Sequence, residues 1–418
     1  MQAIAQRWGI SRGSCRSLTD ASVVAEPFCV DVDGLNGGTM LRVLIAGGGV
    51  GGASLAILLG RAGVEVELFE RSTFPREKPC GEGLMPAGVA ALERMGLASA
   101  IGGAPFHGVR YIFPRFKLKG RFPALNGKPA EGRGQRRLHL DGILFAAASA
   151  TSGVSAYTGA QVDAPIVENG RVTGLIVDGD ERRGDLVIAA DGLNSSIRKS
   201  LGLDLPLRRR RFGLRMHFRV KPGCEQPPWV DVFPRRGYEL YVTPLPEREA
   251  LVAALVESDG LDGPASSEFT RWVSAEPMLA ERLHNAEQIS PLAGCSPLGA
   301  HAKAGVVPGA VLLGDAAGFV DPITGSGMAQ ALATAELLSK YVAQRETPEE
   351  IWMPRFERER QAMMRDTRIV TNAALWLANH PSVARGAYQA MRGAPALFRH
   401  FVGVCGGARS LWGTQAAS

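Results

Sequence analysis

No two of the six cysteines form a C-x-x-C pair; Cys15, Cys29, Cys80, Cys224, Cys295 and Cys405 are scattered over 418 residues. That spacing gives no support to a zinc site, and no metal is expected. Scattered thiols in a chain this long fit a reducing, cytoplasmic compartment. No run of 18 apolar residues occurs, so no transmembrane helix is expected. Aromatic and basic residues are not interleaved as a nucleic-acid surface would require. The nucleophile-and-base constellation of a hydrolase is missing as well.

What is present is a chain with 45% hydrophobic and 21% charged residues, enough to bury a sizeable core. Its length suits two interleaved domains. The 51 glycines imply many tight turns or close approaches of backbone to a ligand. Arginine clusters such as Arg208–Arg211 carry much of the net charge of +6. They form either a solvated basic face or one that attracts an anionic ligand, an acidic carrier or a membrane surface. Residues 1–39 lack an apolar signal-peptide core and clear periodicity, and Met40 immediately precedes LRVLIAGGG. They are expected to be a flexible extension.

The stretch RVLIAGGGVGGASLAILLGRAGVEVELFER, residues 42–71, combines a buried strand, a glycine loop, a helix, a second strand and a terminal acid. Gly47, Gly49 and Gly52 have the G-x-G-x-x-G spacing, with Val50 and Gly51 inside the loop. Gly47 permits the tight turn, Gly49 lets a pyrophosphate approach the backbone, and Gly52 allows helix and strand to pack closely. The helix N-terminus offers free N–H groups to the phosphates. Glu70, followed by Arg71, can accept from both ribose hydroxyls and disfavours a 2′-phosphate. The nucleotide is therefore FAD or NAD.

Two later segments favour FAD. LVIAADGLNSSIR (186–198) and VLLGDAAGFVDPITGSGM (311–328) each begin with an apolar strand and turn sharply at a Gly/Asp pair. Asp315, after Gly314, can bind a ribityl hydroxyl, which NAD lacks. Pro322 stiffens the next turn, and Gly325 and Gly327 keep it bare. A helix beginning around Gly327 and Met328 points its N-terminus into that turn, where it would stabilise negative charge on a flavin.

With these three segments in order over about residues 40–340, the chain resembles the flavoprotein monooxygenase superfamily. This is the p-hydroxybenzoate hydroxylase-like fold that also includes geranylgeranyl reductases and flavin-dependent halogenases. The matching signatures are the dinucleotide fingerprint, the DG motif (Asp191, Gly192, Ser195, Arg198) and the GD motif (Gly314, Asp315). The resemblance implies an α/β fold: a Rossmann-like FAD-binding domain interleaved with a mixed or antiparallel sheet, then C-terminal helices. The FAD-binding parts would be residues 40–107, 135–205 and 291–340. The substrate sheet would be 108–134 and 206–290, and the helical region 341–418. The resemblance also implies that Arg137, in RRLHLD, contacts the FAD diphosphate or ribityl region, and that Val162 meets the adenine side. It links the DG motif to NAD(P)H as electron donor. The alternative for that motif is structural, with Arg198 anchored on Asp191.

KPCGEGLMP, residues 78–86, lies where this superfamily carries the chain past the flavin ring. It shares Lys78, Pro79, Cys80 and Gly81 with a reductase-type turn, and Gly81, Glu82, Leu84 and Pro86 with a halogenase-type turn. Gly81 and Gly83 would let backbone amides approach the flavin. Cys80 is a catalytic thiol, a cofactor contact or a packing residue, and Glu82 anchors the turn rather than acting as an acid. The alternating strands of 108–122 and 213–256 are expected to roof the flavin with one sheet. Candidate pocket residues are Arg110, Tyr111, Phe113, Met216, Phe218, Trp229, Tyr238, Tyr241 and Thr243. His217 is a weak catalytic candidate or a satisfied sheet residue.

The missing acid–base constellation suits oxygen transfer through a flavin C4a-hydroperoxide, as the resemblance implies. The expected activity is thus monooxygenation of an aromatic or secondary-metabolite-like small molecule. Reduction of isoprenoid double bonds is the alternative, supported by the K-P-C-G turn. Halogenation is weakened because W-x-W-x-I-P is absent and His107 stands where such enzymes offer a lysine. A flavin-holding protein without turnover is the non-enzymatic reading. Beyond residue 340 the helices either cap the domain or form a greasy surface near a lipid-like substrate or membrane.

Overall fold

The computed structural model describes residues 41–125, 127–207, 211–257, 260–344 and 347–413. The extension expected over 1–39, Cys15, Cys29 and Arg208–Arg210 lie outside the described residues.

Strand Arg42–Ala46 is central because all of it after Arg42 is apolar: Val43, Leu44 and Ile45 are fully buried on both faces. It pairs in parallel with Glu65–Glu70 on one side and Leu186–Ala189 on the other. Val154–Thr158 and Ala310–Leu312 extend the sheet in parallel, and Val306–Val307 closes one edge antiparallel. Helices Val50–Arg61, Arg137–Ser149 and Gly327–Ala343 cover one face with Leu55, Leu59, Leu144 and Leu332. The other face is covered by an antiparallel sheet of Val162–Glu168, Arg171–Val177 and Asp180–Arg183, whose Val172 and Leu175 meet Leu44 and Val187. Burying each such side chain stabilises the fold by about 1.5–3 kcal/mol.

The second sheet is mostly antiparallel. Arg211–Arg219, Glu249–Glu257, Tyr238–Pro244 and Val230–Pro234 run in that spatial order. Val230–Pro234 then pairs in parallel with Gly108–Ile112, which forms a hairpin with Lys117–Arg121. The register Asp231 to Arg110 stitches together two segments that are about 120 residues apart. Helices Ala265–Ser274 and Pro277–Arg282 pack on one face through Phe269 and Trp272 of the first and Leu279 of the second. The parallel and antiparallel sheets together give the expected α/β class.

Three helices end the chain: Glu349–Ala378, Pro381–Gly393 and Pro395–Cys405. Pro381 and Pro395 each occupy a first helical position, where the missing N–H costs nothing. Phe398 and Val402 settle on Gly120, whose added Cβ would lie 2.6 Å from Val402 Cγ2. No helix among the described residues is long and apolar enough to cross a membrane.

Candidate active site

The glycine loop is built by close contact. Gly47 has φ +104, and a Cβ there would fall 2.4 Å from the carbonyl of Ala190; one on Gly52 would fall 1.9 Å from the carbonyl of Gly47. Gly52 therefore serves packing, whereas Gly47, Gly49, Val50 and Gly51 line a large cavity. Helix Val50–Arg61 has no side-chain cap, so its first N–H groups face that cavity unpaired. Glu70 Oε2 accepts from Gly48 N–H at 2.9 Å and Oε1 from Ser72 N–H at 3.0 Å. Arg76 spans the loop: Nη2 is 3.5 Å from Glu70 and 3.1 Å from Asp141. Sequence reasoning missed Arg76; its signal was a cation a few residues beyond the fingerprint acid. Arg71 and Val162 also line the cavity.

The DG and GD motifs are clamped together. Arg198 Nε donates to Asp204 at 2.7 Å, Nη2 to the Leu193 carbonyl at 2.6 Å and Nη1 to the Ala316 carbonyl at 3.1 Å. The anchoring of Arg198 on Asp191 is not formed, because the guanidinium is spent on these carbonyls and Asp204. Asp191 Oδ1 is left buried without a partner and faces the cavity beside Gly192, Gly314 and Asp315. Asp321 Oδ1 caps the turn Pro322–Thr324 at 2.9 Å from Ile323 N–H, and accepts from Arg211 at 2.9 Å. Arg211 is thus a buried hub shared with Glu239 and Glu257, not a solvated surface charge. Gly325, with φ +66, ends the turn and helix Gly327–Ala343 starts uncapped, with Pro322, Gly325, Gly327 and Met328 on the cavity.

Residues 78–86 are a turn pinned from below. Glu82 takes φ +54, a left-handed conformation unfavourable for a side chain. It is held there by its own carboxylate: Oε1 accepts from Arg137 N–H at 2.9 Å and Oε2 lies 2.7 Å from His217 Nε2. Its N–H reaches Cys80 Sγ at 3.3 Å, and Thr243 Oγ1 donates to the Gly81 carbonyl at 2.9 Å. His217 is fully buried, with Nδ1 2.9 Å from both Ser290 Oγ and Arg215 Nη1. It lies behind the turn, off the cavity, and acts through Glu82. Cys80 and Gly81 line the cavity, and the Cys80 sulfur accepts from the Glu82 N–H. Burial opposes the charge on Arg137, yet Asp141 and Cys80 outweigh it and hold the guanidinium above its ordinary value. Burial pushes the Lys78 ammonium below its ordinary value; Arg137 and Arg76 add to this, while Asp315 and Asp141 oppose it. Lys78 Nζ stands beside Gly192.

The space these groups surround has a volume of about 720 Å³. Of the candidate pocket residues, Tyr111, Tyr241 and Thr243 line it. The others fall on the wrong face or the wrong end. Arg110 turns away to a bidentate pair with buried Asp231 at 2.6 and 2.7 Å. Met216 and Phe218 join the Phe269–Trp272 core, and Tyr238 stacks on Trp272 at 4.7 Å. Trp229 lies under Lys119, and Phe113 stacks on Phe116 at 4.6 Å. His107 pairs with Glu131 at 3.0 Å, away from the cavity. The missed residues come from the C-terminal helices: Val370, Leu377, Tyr388, Met391, Phe398 and Phe401. Their helical spacing was visible, but the partner of their apolar stripe was not. Burial pushes the hydroxyls of Tyr111, Tyr241 and Tyr388 up, so they are neutral donors.

The residues present fit an FAD. They comprise bare backbone at Gly49, uncapped N–H groups at two helix starts, an unpartnered buried Asp191 oxygen, and Arg76, Lys78 and Arg137 on one cavity. Residues 40–367 match the family model described as the FAD binding domain. The chain is 27% identical over 322 residues to the menaquinone reductase of Mycolicibacterium smegmatis, covering 72% of this chain and 76% of that one. It is 26% identical over 316 residues to the aurachin C monooxygenase/isomerase of Stigmatella aurantiaca, covering 72% and 80%. A flavoprotein/dehydrogenase structure from Cytophaga hutchinsonii superposes with a TM-score of 0.73 at 21% identity, covering 88% and 92%. Site geometry and likeness agree: the chain belongs to the FAD binding domain family and is an FAD-dependent oxidoreductase.

Proposed function

We propose that the protein is an NAD(P)H-driven monooxygenase acting on an aromatic or secondary-metabolite-like small molecule. One observation carries this reading. The cavity that starts at the phosphate loop continues without a break into an apolar chamber walled by Tyr111, Tyr241, Tyr388, Met391 and Phe398. An FAD held there would supply the redox chemistry between a nicotinamide donor and dioxygen. The chain's own residues do the rest. Glu70 and the glycine loop would hold the nucleotide, with Arg76, Lys78 and Arg137 balancing its charge. The aromatic walls exclude water and orient a flat ring. The tyrosine hydroxyls offer the few polar contacts that fix its position. The likeness to an aurachin C monooxygenase supports this reading, and the free thiols of Cys80, Cys224, Cys295 and Cys405 suit a reducing cytoplasm.

The likeness to a menaquinone reductase favours a second reading, in which the same cavity reduces a quinone ring or an isoprenoid double bond. One experiment separates the two. The purified holoprotein is mixed with NADPH or NADH under ¹⁸O₂ and a panel of hydroxylated arenes, quinolones and quinones. Oxidation of the donor that is accelerated by one of them, with one labelled oxygen in the product, is the expected result. Donor consumption that needs no oxygen and leaves a reduced substrate would overturn the monooxygenase.

A further inference from the structure

From Thr367 to the end, 52 residues contain Arg368, Arg385, Arg392, Arg399 and Arg409 and not one Asp or Glu. The rest of the chain therefore carries all 41 acids against 42 of the 47 lysines and arginines. The acid-free stretch covers the last turns of helix Glu349–Ala378 and the two helices after it, all three of which line the cavity. Their inner faces are spent. Ala384, Tyr388 and Met391 look inward, as do Phe398 and Val402, and Phe398 packs 5.3 Å from Tyr111. Large apolar side chains are exposed on and just after these helices, among arginines and small polar residues. Trp376 is 50% exposed and Trp412 78%, and Ile369, Val383 and Leu397 are also exposed. Arg368, Arg385 and Arg399 are exposed on the same helices.

We propose that this surface docks on an anionic lipid bilayer. Exposed tryptophan and aliphatic side chains enter the headgroup region, while flanking arginines meet lipid phosphates; an interfacial helix combines these two features. Charge complementarity selects the bilayer over a second copy of the chain, because Arg368, Arg385 and Arg399 are exposed here and Asp366, the acid bordering the surface, is taken up by Ser410 Oγ and the Leu411 N–H. The same helices line the cavity from within through Leu377, Tyr388, Met391 and Phe401, so docking would bring the chamber close to the lipid that dissolves an apolar substrate. The docking itself stands apart from the oxygenase reading, since it needs no turnover.

The test is flotation of the FAD-loaded full chain with vesicles of phosphatidylcholine alone or mixed equally with phosphatidylglycerol. Binding to the anionic vesicles, weakened by salt and accompanied by a blue shift of tryptophan emission, is expected. Arg385→Gln and Arg399→Gln should each weaken it about five-fold. Leu397→Ser and Trp412→Ser should weaken it at unchanged charge, with retained flavin absorbance showing that each variant is folded. Failure to float with anionic vesicles overturns the proposal, as does binding indifferent to these four substitutions. Dimerisation lost in the same variants would assign the face to a second copy and also overturn it. None of these results bears on oxygen incorporation.

Discussion

His217 Nε2 lies 2.7 Å from Glu82 Oε2, both side chains are fully buried, and 135 positions separate them in the chain. The pair fastens the turn at residues 78–86 to the substrate sheet. Removing one member of a buried pair leaves the other uncompensated, at a cost of about 3–5 kcal/mol. Glu82→Ala should therefore melt markedly earlier and lose flavin. Glu82→Gly should be less damaged by about 1 kcal/mol, because it relieves the left-handed backbone. Calorimetry of the two variants checks both statements, and equal melting temperatures would remove strain at Glu82 from the account.

The same pair shows what the sequence could reveal. The glycine loop, the second-strand acid and the two Gly/Asp turns were legible because each is local; their physics sits within a strand, a turn and a helix start. Period-two alternation in the substrate strands was legible too, but period is not phase. Nothing in FGLRMHFRV says that Gly213 and Arg215 face the cavity while Met216 and Phe218 face Trp272. Partners brought in from afar were invisible. Glu82 meets His217, Arg198 meets the Ala316 carbonyl, and Tyr111 meets Phe398 only after two sheets and three helices have closed.

Cys80 faces the cavity, but its sulfur is engaged by the Glu82 N–H. A hydroxyl can accept from the same N–H. Cys80→Ser is expected to keep its FAD and to turn over within about two-fold of the parent. Flavin-to-protein absorbance ratios and donor oxidation rates measure this. A ten-fold loss of turnover at full flavin occupancy would make the thiol part of the chemistry.

Lys78 predicts a pH dependence of FAD affinity. Burial depresses its pKa in the empty cavity, while the FAD diphosphate favours the charged ammonium and raises it on binding. A group whose pKa rises on binding helps most below its free-state value, and that help is lost as pH climbs through the bound-state value. Affinity should thus begin to fall at a pH below the ordinary lysine range. Lys78→Met should bind FAD about ten-fold more weakly at neutral pH, the scale of one charge-assisted hydrogen bond, with a flatter profile. Titrations of the apoprotein with FAD across pH would show it; a variant profile parallel to the parent's would detach Lys78 from the phosphates.

Tyr241 joins the chamber to a buried ionic cluster. Its hydroxyl lies 3.0 Å from Glu239 Oε2 and 3.3 Å from the Ile323 carbonyl, inside the turn that the GD motif introduces. Burial raises the Glu239 pKa against the pull of Arg211, and it raises that of Tyr241, with Glu239 adding to it. A neutral Glu239 can donate to the tyrosine oxygen and leave the phenolic hydrogen to be shared between the Ile323 carbonyl and a substrate; an ionised Glu239 captures that hydrogen instead. Because the folded pKa of Glu239 lies above its unfolded value, its contribution to stability is full at low pH and is lost as pH rises through the folded value. Glu239→Gln should flatten that loss. Tyr241→Phe should retain FAD and fold while lowering kcat about ten-fold, with more of the donor's electrons escaping as hydrogen peroxide. Peroxide yield per NAD(P)H separates this from a packing effect: unchanged coupling would mean that the hydroxyl merely braces Ile323 and never meets the substrate.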